Sequence, residues 1–129
     1  MREYNPFILL VEDDSLLADI TAFRLELLGY DVQTVESVEE AWDICDEYQV
    51  DMVIIDLELA SMKALQLIKQ LKSHVEIGLT PVLVLSTDPN LEIVQQAIDA
   101  GAGDHLMTPY DPAILEHKVG QLLSRETVS

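Results

Sequence analysis

The amino-acid sequence predicts an α/β fold, a doubly wound, five-stranded parallel sheet with five helices in a single domain. Two observations predict it. Short apolar runs alternate five times with segments in which apolar residues recur at helical spacing. The runs are also almost continuously apolar, which is typical of parallel strands that are buried on both faces. At 129 residues, the chain is long enough to bury one core of this kind.

The apolar runs and the helical segments give the order of the elements. Asp14 or Ser15 can cap the first helix, Ser37 can cap the second, Gly29 can end the first helix, and Pro112 suits the first turn of the last one. The strands are expected at residues 7–11, 31–35, 52–56, 82–85 and 104–107, and the helices at residues 15–28, 38–48, 62–72, 90–100 and 112–124.

Charge is the strongest compositional feature. Twenty-four acidic residues face seven basic ones, for a formal net charge of −17. A surface with this much negative charge repels phosphate backbones and anionic lipid. Direct binding to nucleic acid or to a membrane is therefore disfavoured, and a basic partner or a divalent cation is favoured. No stretch could span a bilayer, no signal peptide is recognisable, and the single cysteine, Cys45, excludes an internal disulfide. We therefore expect a cytoplasmic, reducing location.

Carboxylates follow two of the predicted strands. Glu12 and Asp13 come directly after the first strand, and Asp56 ends the third. In the flavodoxin-like strand order 2-1-3-4-5 these two strands are neighbours, so the three carboxylates should share one crevice at the sheet's carboxyl edge. Their mutual repulsion favours a bound cation such as Mg²⁺ or Mn²⁺, which accepts oxygen ligands and keeps open positions. The sequence therefore predicts a divalent-cation site.

The same crevice suits phosphoryl transfer, in which positioning and charge neutralisation do most of the catalytic work. Asp56 could act as the nucleophile and form an aspartyl-phosphate. Ser86 follows the apolar run of the fourth strand, which neighbours the third, so its hydroxyl could hydrogen-bond a phosphoryl oxygen on Asp56.

Four segments together resemble the receiver domain of two-component response regulators, in order and in spacing, over nearly the whole chain. They read FILLVEDD at residues 7–14, VIID at 53–56 and LVLS at 83–86, followed by the segment 101–109. The resemblance implies that Asp56 is the phosphoacceptor. It also implies that Mg²⁺ is held by Asp13, Asp56 and the backbone carbonyl of Glu58, with Glu12 contributing indirectly.

The resemblance implies a switch and partners as well. Ser86 and His105 match the residues that respond to phosphorylation, although a half-exposed histidine on an edge strand is the slightly favoured interpretation of His105. A histidine kinase or a phosphotransfer protein would donate the phosphoryl group. The face made by the fourth helix, fifth strand and fifth helix would then contact an effector domain or protein, or a second copy of the chain.

Such a module is not an enzyme in the usual sense, although it assists its own phosphoryl transfer. We expect one receiver domain over residues 1–129, with its core at about 6–124 and no output domain in the chain.

One position departs from the family pattern. Where the family has a lysine before the proline that follows the fifth strand, this chain has Thr108 before Pro109. A hydroxyl group supplies a hydrogen bond but no charge, and charge-assisted hydrogen bonds are roughly twice as strong as neutral ones. We therefore expect weaker coupling of phosphorylation to Ser86 and His105. The resemblance also implies a cis peptide bond before Pro109.

Three residues near the crevice also differ from the usual pattern or add charge to it. Thr87 stands where the family commonly has a small residue, and it could crowd the entrance for the phosphoryl group. Glu58 and Asp88 are expected to flank the same entrance and to add negative charge.

Two alternative functions stay open. A pseudo-receiver has the same fold but signals without phosphorylation, and Thr108 favours it. A flavodoxin-like enzyme or nucleotide binder is the third candidate, but no glycine-rich phosphate loop follows the first strand.

Overall fold

The computed structural model describes residues 5–59, 63–74, 77–88 and 91–127, and within them it contains the five strands and five helices that the sequence predicts. A short 3₁₀ turn, Ile77–Leu79, precedes the fourth strand. Met62 and Asn90, the expected first residues of the third and fourth helices, lie outside these ranges. The elements are β1 (Phe7–Val11), α1 (Ser15–Glu26), β2 (Asp31–Val35), α2 (Val38–Glu47), β3 (Met52–Asp56), α3 (Lys63–Ser73), β4 (Val82–Ser86), α4 (Leu91–Ala100), β5 (Asp104–Met107) and α5 (Pro112–Thr127).

All neighbouring strands are parallel, and their order is β2-β1-β3-β4-β5, which confirms the predicted fold class. The register of the strands determines which residues lie next to one another at the carboxyl edge of the sheet. Val11 pairs with Ile55, and Asp56 pairs with Leu85. The residues that follow β1 therefore lie beside Asp56, and Ser86 lies one step beyond the partner of Asp56.

The sheet carries a hydrophobic core on each face. All of β4 is buried, as are the apolar residues of β3, and this explains why their sequences read as unbroken apolar runs. Because alternate side chains point to opposite faces, Val53 and Ile55 belong to one core cluster, and Met52 and Ile54 belong to the other. The two cores fix the strand ends, and hence the carboxyl edge, as a rigid platform.

The apolar spacing that predicts α1 does not mark the face that this helix buries. Its buried residues are Ala18, Thr21 and Leu25, which pack towards the sheet. The helix ends at Glu26, two residues earlier than expected, and Gly29 follows with a positive φ of 92°, as a helix stop requires. Five large apolar residues on and just after α1 are instead 46–70% exposed: Leu16, Ile20, Phe23, Leu27 and Leu28.

Within the described ranges, no helix is both long enough and apolar enough to cross a membrane.

Candidate functional site

Three carboxylates meet at the carboxyl edge of the sheet, as the sequence predicts. β1 and β3 are adjacent and in register, so the turn after β1 places Glu12 and Asp13 next to Asp56. One carboxylate oxygen from each of the three residues lies within 4.8 Å of the others. Glu12 is buried, whereas Asp13 is exposed to solvent. The cluster is therefore open to solvent at Asp13.

Glu12 is held in place by its backbone and by one of its side-chain oxygens. Its amide donates to the carbonyl of Val35 at 2.9 Å, and its Oε2 accepts a hydrogen bond from the amide of Asp14 at 3.2 Å. Asp14 in turn caps α1 by accepting from the amide of Leu17 at 3.1 Å. The start of α1 therefore orients this buried carboxyl group.

The other oxygen of Glu12, Oε1, is buried and has no hydrogen-bond partner among the described residues. Burial raises the pKa of the Glu12 carboxyl from 4.5 to about 8, and the neighbouring Asp56 carboxylate acts in the same direction. Without a cation, Glu12 thus keeps a proton near neutral pH. That proton lets the carboxyl groups of Glu12 and Asp56 lie side by side without the repulsion of two negative charges.

A divalent cation fits the same geometry. Such an ion would satisfy the unpartnered oxygen of this cluster and offset the repulsion among the three carboxylates. Asp13 and Asp56 could serve as direct ligands together with the backbone carbonyl of Glu58, with Glu12 behind them. Any such ion would favour loss of the proton that Glu12 holds, because a nearby positive charge stabilises the charged carboxylate.

Asp56 is oriented by the loop that follows it. Its Oδ1 accepts a hydrogen bond from the backbone amide of Glu58 at 2.9 Å. The amide of Leu57 donates to the carbonyl of Leu85 at 2.8 Å, which continues the β3–β4 ladder past the carboxylate. These bonds fix the Asp56 carboxylate beside the end of β4, where Ser86 is 1% exposed.

The Glu58 side chain has contacts that the sequence did not reveal. Its Oε1 accepts hydrogen bonds from the Thr87 amide and the Thr87 hydroxyl, both at 2.7 Å, and its Oε2 accepts one from the Ser86 hydroxyl at 3.2 Å. The Ser86 hydroxyl also accepts a hydrogen bond from the amide of Asp88 at 3.1 Å. Thr87 therefore pairs with Glu58, while the expected crowding of the phosphoryl entrance stays a prediction.

Thr108 lies at the far side of the same edge. It is 9% exposed, and its amide donates to the carbonyl of Ser86 at 2.9 Å. The Thr108–Pro109 peptide bond is cis, as the resemblance implied. The backbone therefore holds Thr108 against β4, and a lysine side chain at this position would extend from the same point.

No lysine or arginine among the described residues forms an ion pair with Glu12, Asp13 or Asp56. Basic side chains of the described residues pair with groups elsewhere: Arg24 with Glu116, Lys63 with Glu39, Lys118 with Asp104, and Lys72 with the carbonyls of Gly78 and Thr80.

His105 lies on β5, at the edge of the sheet. Its side chain is 41% exposed, and its Nδ1 is 3.9 Å from Oδ1 of Asp104. Val84 of β4 is its partner in register. The half-exposed position on an edge strand is confirmed, while the switching role stays a prediction.

This fold and this edge define a class of signalling module. The chain belongs to the response regulator receiver domain family, whose model matches residues 8–120. Members of this family typically bind Mg²⁺, and they act as signalling domains rather than as classical enzymes.

Individual relatives agree with that assignment. The two-component response regulator PhoP of Pseudomonas aeruginosa is 34% identical, over 93% of this chain and 52% of its own length. A chemotaxis protein CheY homolog of Campylobacter jejuni is 28% identical, over 90% of this chain and 91% of its own length. The chain thus spans about half the length of PhoP but nearly all of the CheY homolog.

Among solved structures, the signal receiver domain of a signal transduction histidine kinase from Syntrophus aciditrophicus superposes with a TM-score of 0.87 at 27% identity. The match covers 96% of this chain and 94% of that one.

Proposed function

We propose that this chain accepts a phosphoryl group on Asp56 in a Mg²⁺-dependent reaction and signals through protein contacts. The observation that carries the proposal is the convergence of Glu12, Asp13 and Asp56 within 4.8 Å, directly beside the end of β4. A cluster of three carboxylates beside a buried hydroxyl group offers a nucleophile, a cation site and a hydrogen-bond donor for a phosphoryl oxygen.

In the proposed reaction, a carboxylate oxygen of Asp56 attacks the phosphorus of a phosphohistidine on a histidine kinase or phosphotransfer protein. The new O–P bond forms as the P–N bond breaks, and the leaving histidine nitrogen keeps the electron pair and takes up a proton. The hydrogen bond from the Glu58 amide holds the attacking carboxylate in place. Bound Mg²⁺ supplies positive charge for the carboxylates and the phosphoryl oxygens.

Two exposed apolar surfaces support a role in protein contacts. The stripe on α1 begins next to the acidic cluster and is formed by Leu16, Ile20 and Phe23. Exposed apolar patches beside a site commonly mark partner surfaces. Each element of the α4–β5–α5 face also exposes an apolar side chain: Leu91, Met107 and Ile114. We assign the first surface to the phosphodonor protein and the second to an effector or a second copy.

Incubation with acetyl phosphate and Mg²⁺ tests the proposal. Intact mass should show the addition of one phosphoryl group, and tandem mass spectrometry should locate it at Asp56 in the tryptic peptide 25–63. Omitting Mg²⁺ or adding EDTA should suppress the uptake. No uptake, together with no spectral change on addition of beryllofluoride and Mg²⁺, would instead support the pseudo-receiver, which the threonine at position 108 favours.

Thr108→Lys should strengthen the response to phosphorylation. A lysine there adds a charge-assisted hydrogen bond to the phosphoryl oxygens, so beryllofluoride should bind about tenfold more tightly. The NMR shifts of Ser86 and His105 on binding should also grow. Thr108→Gln, which is long but neutral, is the matched control and should reproduce neither effect. Equal responses in the lysine and glutamine variants would refute the importance of the missing cation.

A further inference from the structure

The Glu58 carboxylate is bound as an anion at the end of β4. Three donors converge on its two oxygens: the Thr87 amide and hydroxyl at 2.7 Å each, and the Ser86 hydroxyl at 3.2 Å. Convergent amide and hydroxyl donors of this kind form an oxyanion site. The site belongs to the loop after β4, and the chain fills it with its own side chain.

The position of this oxyanion site relates it to Asp56. The Glu58 backbone amide donates to Asp56 Oδ1 at 2.9 Å, while the side chain of the same residue reaches Ser86 and Thr87. Glu58 therefore spans the gap between the proposed acceptor and the donors at the end of β4. A phosphoryl group on Asp56 would extend into that gap and present its own oxygens to the same donors.

We propose that the Glu58 carboxylate is a built-in competitor of the phosphoryl group, occupying the Ser86–Thr87 donors until phosphorylation displaces it. This inference rests on the proposed acceptor role of Asp56. It assigns Glu58 a positioning role through its side chain, in addition to the proposed contribution of its backbone carbonyl to a cation site. Phosphorylation then exchanges one oxyanion for another at the end of β4.

The local negative charges make this exchange of oxyanions less favourable. Two oxyanions cannot share the three donors, and the Glu58 carboxylate must move away into solvent when the phosphoryl oxygens arrive. No ion pair with a lysine or arginine compensates the acidic cluster among the described residues, and the position of the usual lysine is Thr108. The retained carboxylate thus opposes both the approach of a phosphoryl group and its hold on the loop.

The affinity for beryllofluoride in the presence of Mg²⁺ tests this proposal, because beryllofluoride mimics a phosphoryl group without turnover. Glu58→Ala removes the competing carboxylate but keeps the backbone carbonyl. It should bind the mimic about tenfold more tightly than the unmodified protein, in line with the loss of charged hydrogen bonds. Glu58→Gln, which keeps a neutral acceptor, should fall between the two. Glu47→Ala, at the exposed end of α2, is the matched control and should change nothing.

The NMR resonance of the Thr87 amide provides a second measurement. If Glu58 had only a structural role, this resonance would not change in the following way. Without ligand, the resonance in Glu58→Ala should differ from that of the unmodified protein, because its carboxylate acceptor is gone. With beryllofluoride bound, the two proteins should give the same Thr87 resonance, because both present the same new oxyanion. Tighter binding with converging resonances supports the proposal, and so does binding of the mimic by the variant alone.

Two outcomes overturn it, and they are distinguishable. If the unmodified protein binds beryllofluoride and Glu58→Ala binds it equally or more weakly, the competition is wrong while the acceptor role of Asp56 stands. If neither protein binds the mimic, the acceptor role itself fails, and the competition fails with it.

Discussion

Asp56→Asn should reduce phosphoryl uptake from acetyl phosphate to background. The amide that replaces the carboxylate has no anionic oxygen to attack phosphorus, and it is a much poorer ligand for a divalent cation. Because covalent uptake depends on one nucleophile, the expected loss is complete rather than partial. The measurement is intact mass after incubation with acetyl phosphate and Mg²⁺, followed by tandem mass spectrometry of peptide 25–63.

The matched control is Asp46→Asn, which removes an exposed carboxylate from α2 within the same tryptic peptide and should leave uptake unchanged. Asp13→Asn keeps the nucleophile but removes a proposed cation ligand, so it should need much more Mg²⁺ for the same uptake. Undiminished phosphorylation of the Asp56→Asn protein would mean that another residue is the acceptor.

Glu12→Gln should have opposite effects on metal-free stability and on the response to Mg²⁺. Glutamine keeps the shape of the protonated carboxyl group and can donate to Asp56, but it never becomes charged. Without metal at pH 7, the free energy of unfolding should therefore rise by about 3 kcal/mol. Added Mg²⁺ should stabilise the variant less than the unmodified protein, because one of the three charges that favour the cation is gone.

The difference in metal-free stability between the unmodified protein and Glu12→Gln should depend on pH, because the pKa of Glu12 is raised in the folded state. The folded state keeps the proton up to a pKa of about 8, whereas the unfolded state releases it near 4.5. The contribution of Glu12 is therefore fully present below pH 4.5 and is lost as the pH rises towards 8. The loss approaches about 1.4 kcal/mol per pH unit inside that window.

Urea unfolding in EDTA between pH 4 and pH 8 measures this difference. The Glu12→Gln protein should lack the part of the slope that Glu12 contributes, and the two proteins should converge in stability near pH 4. Glu47→Gln serves as the control for the loss of one negative charge. Parallel pH profiles for the unmodified protein and Glu12→Gln would contradict the buried, protonated state of this carboxyl group.

The sequence predicted the acidic cluster because its geometry depends on the sheet alone. Unbroken apolar runs identify buried parallel strands, and the strand order makes β1 and β3 neighbours. Once that order holds, Glu12, Asp13 and Asp56 must meet at one edge, and Ser86 must lie beside them. These placements need only strand ends and register, and both follow from the apolar pattern.

The Glu58 network could not be predicted in the same way. It joins the loop after β3 to the loop after β4, and no periodicity determines how two loops face each other. The sequence suggested that Glu58 and Thr87 lie near the same entrance, but it did not indicate the three hydrogen bonds that the Glu58 carboxylate accepts.

The buried face of α1 could not be predicted from the sequence, for a different reason. The helix carries small or polar residues towards the sheet, Ala18 and Thr21, and large apolar residues such as Phe23 towards solvent. Apolar spacing predicts that a helix forms, but it identifies the core-facing side only when no second surface also needs apolar residues.

The central claim is that Asp56 accepts a phosphoryl group beside a divalent cation, in a site whose loop donors Glu58 occupies beforehand. A crystal structure of the protein with Mg²⁺ and beryllofluoride tests it most directly. The predicted result has beryllium bonded to an Asp56 oxygen, Mg²⁺ in contact with Asp13 and Asp56, and the mimic rather than Glu58 on the donors at the end of β4. An unmodified Asp56, with no ion at the acidic cluster and Glu58 still in place, would contradict the claim.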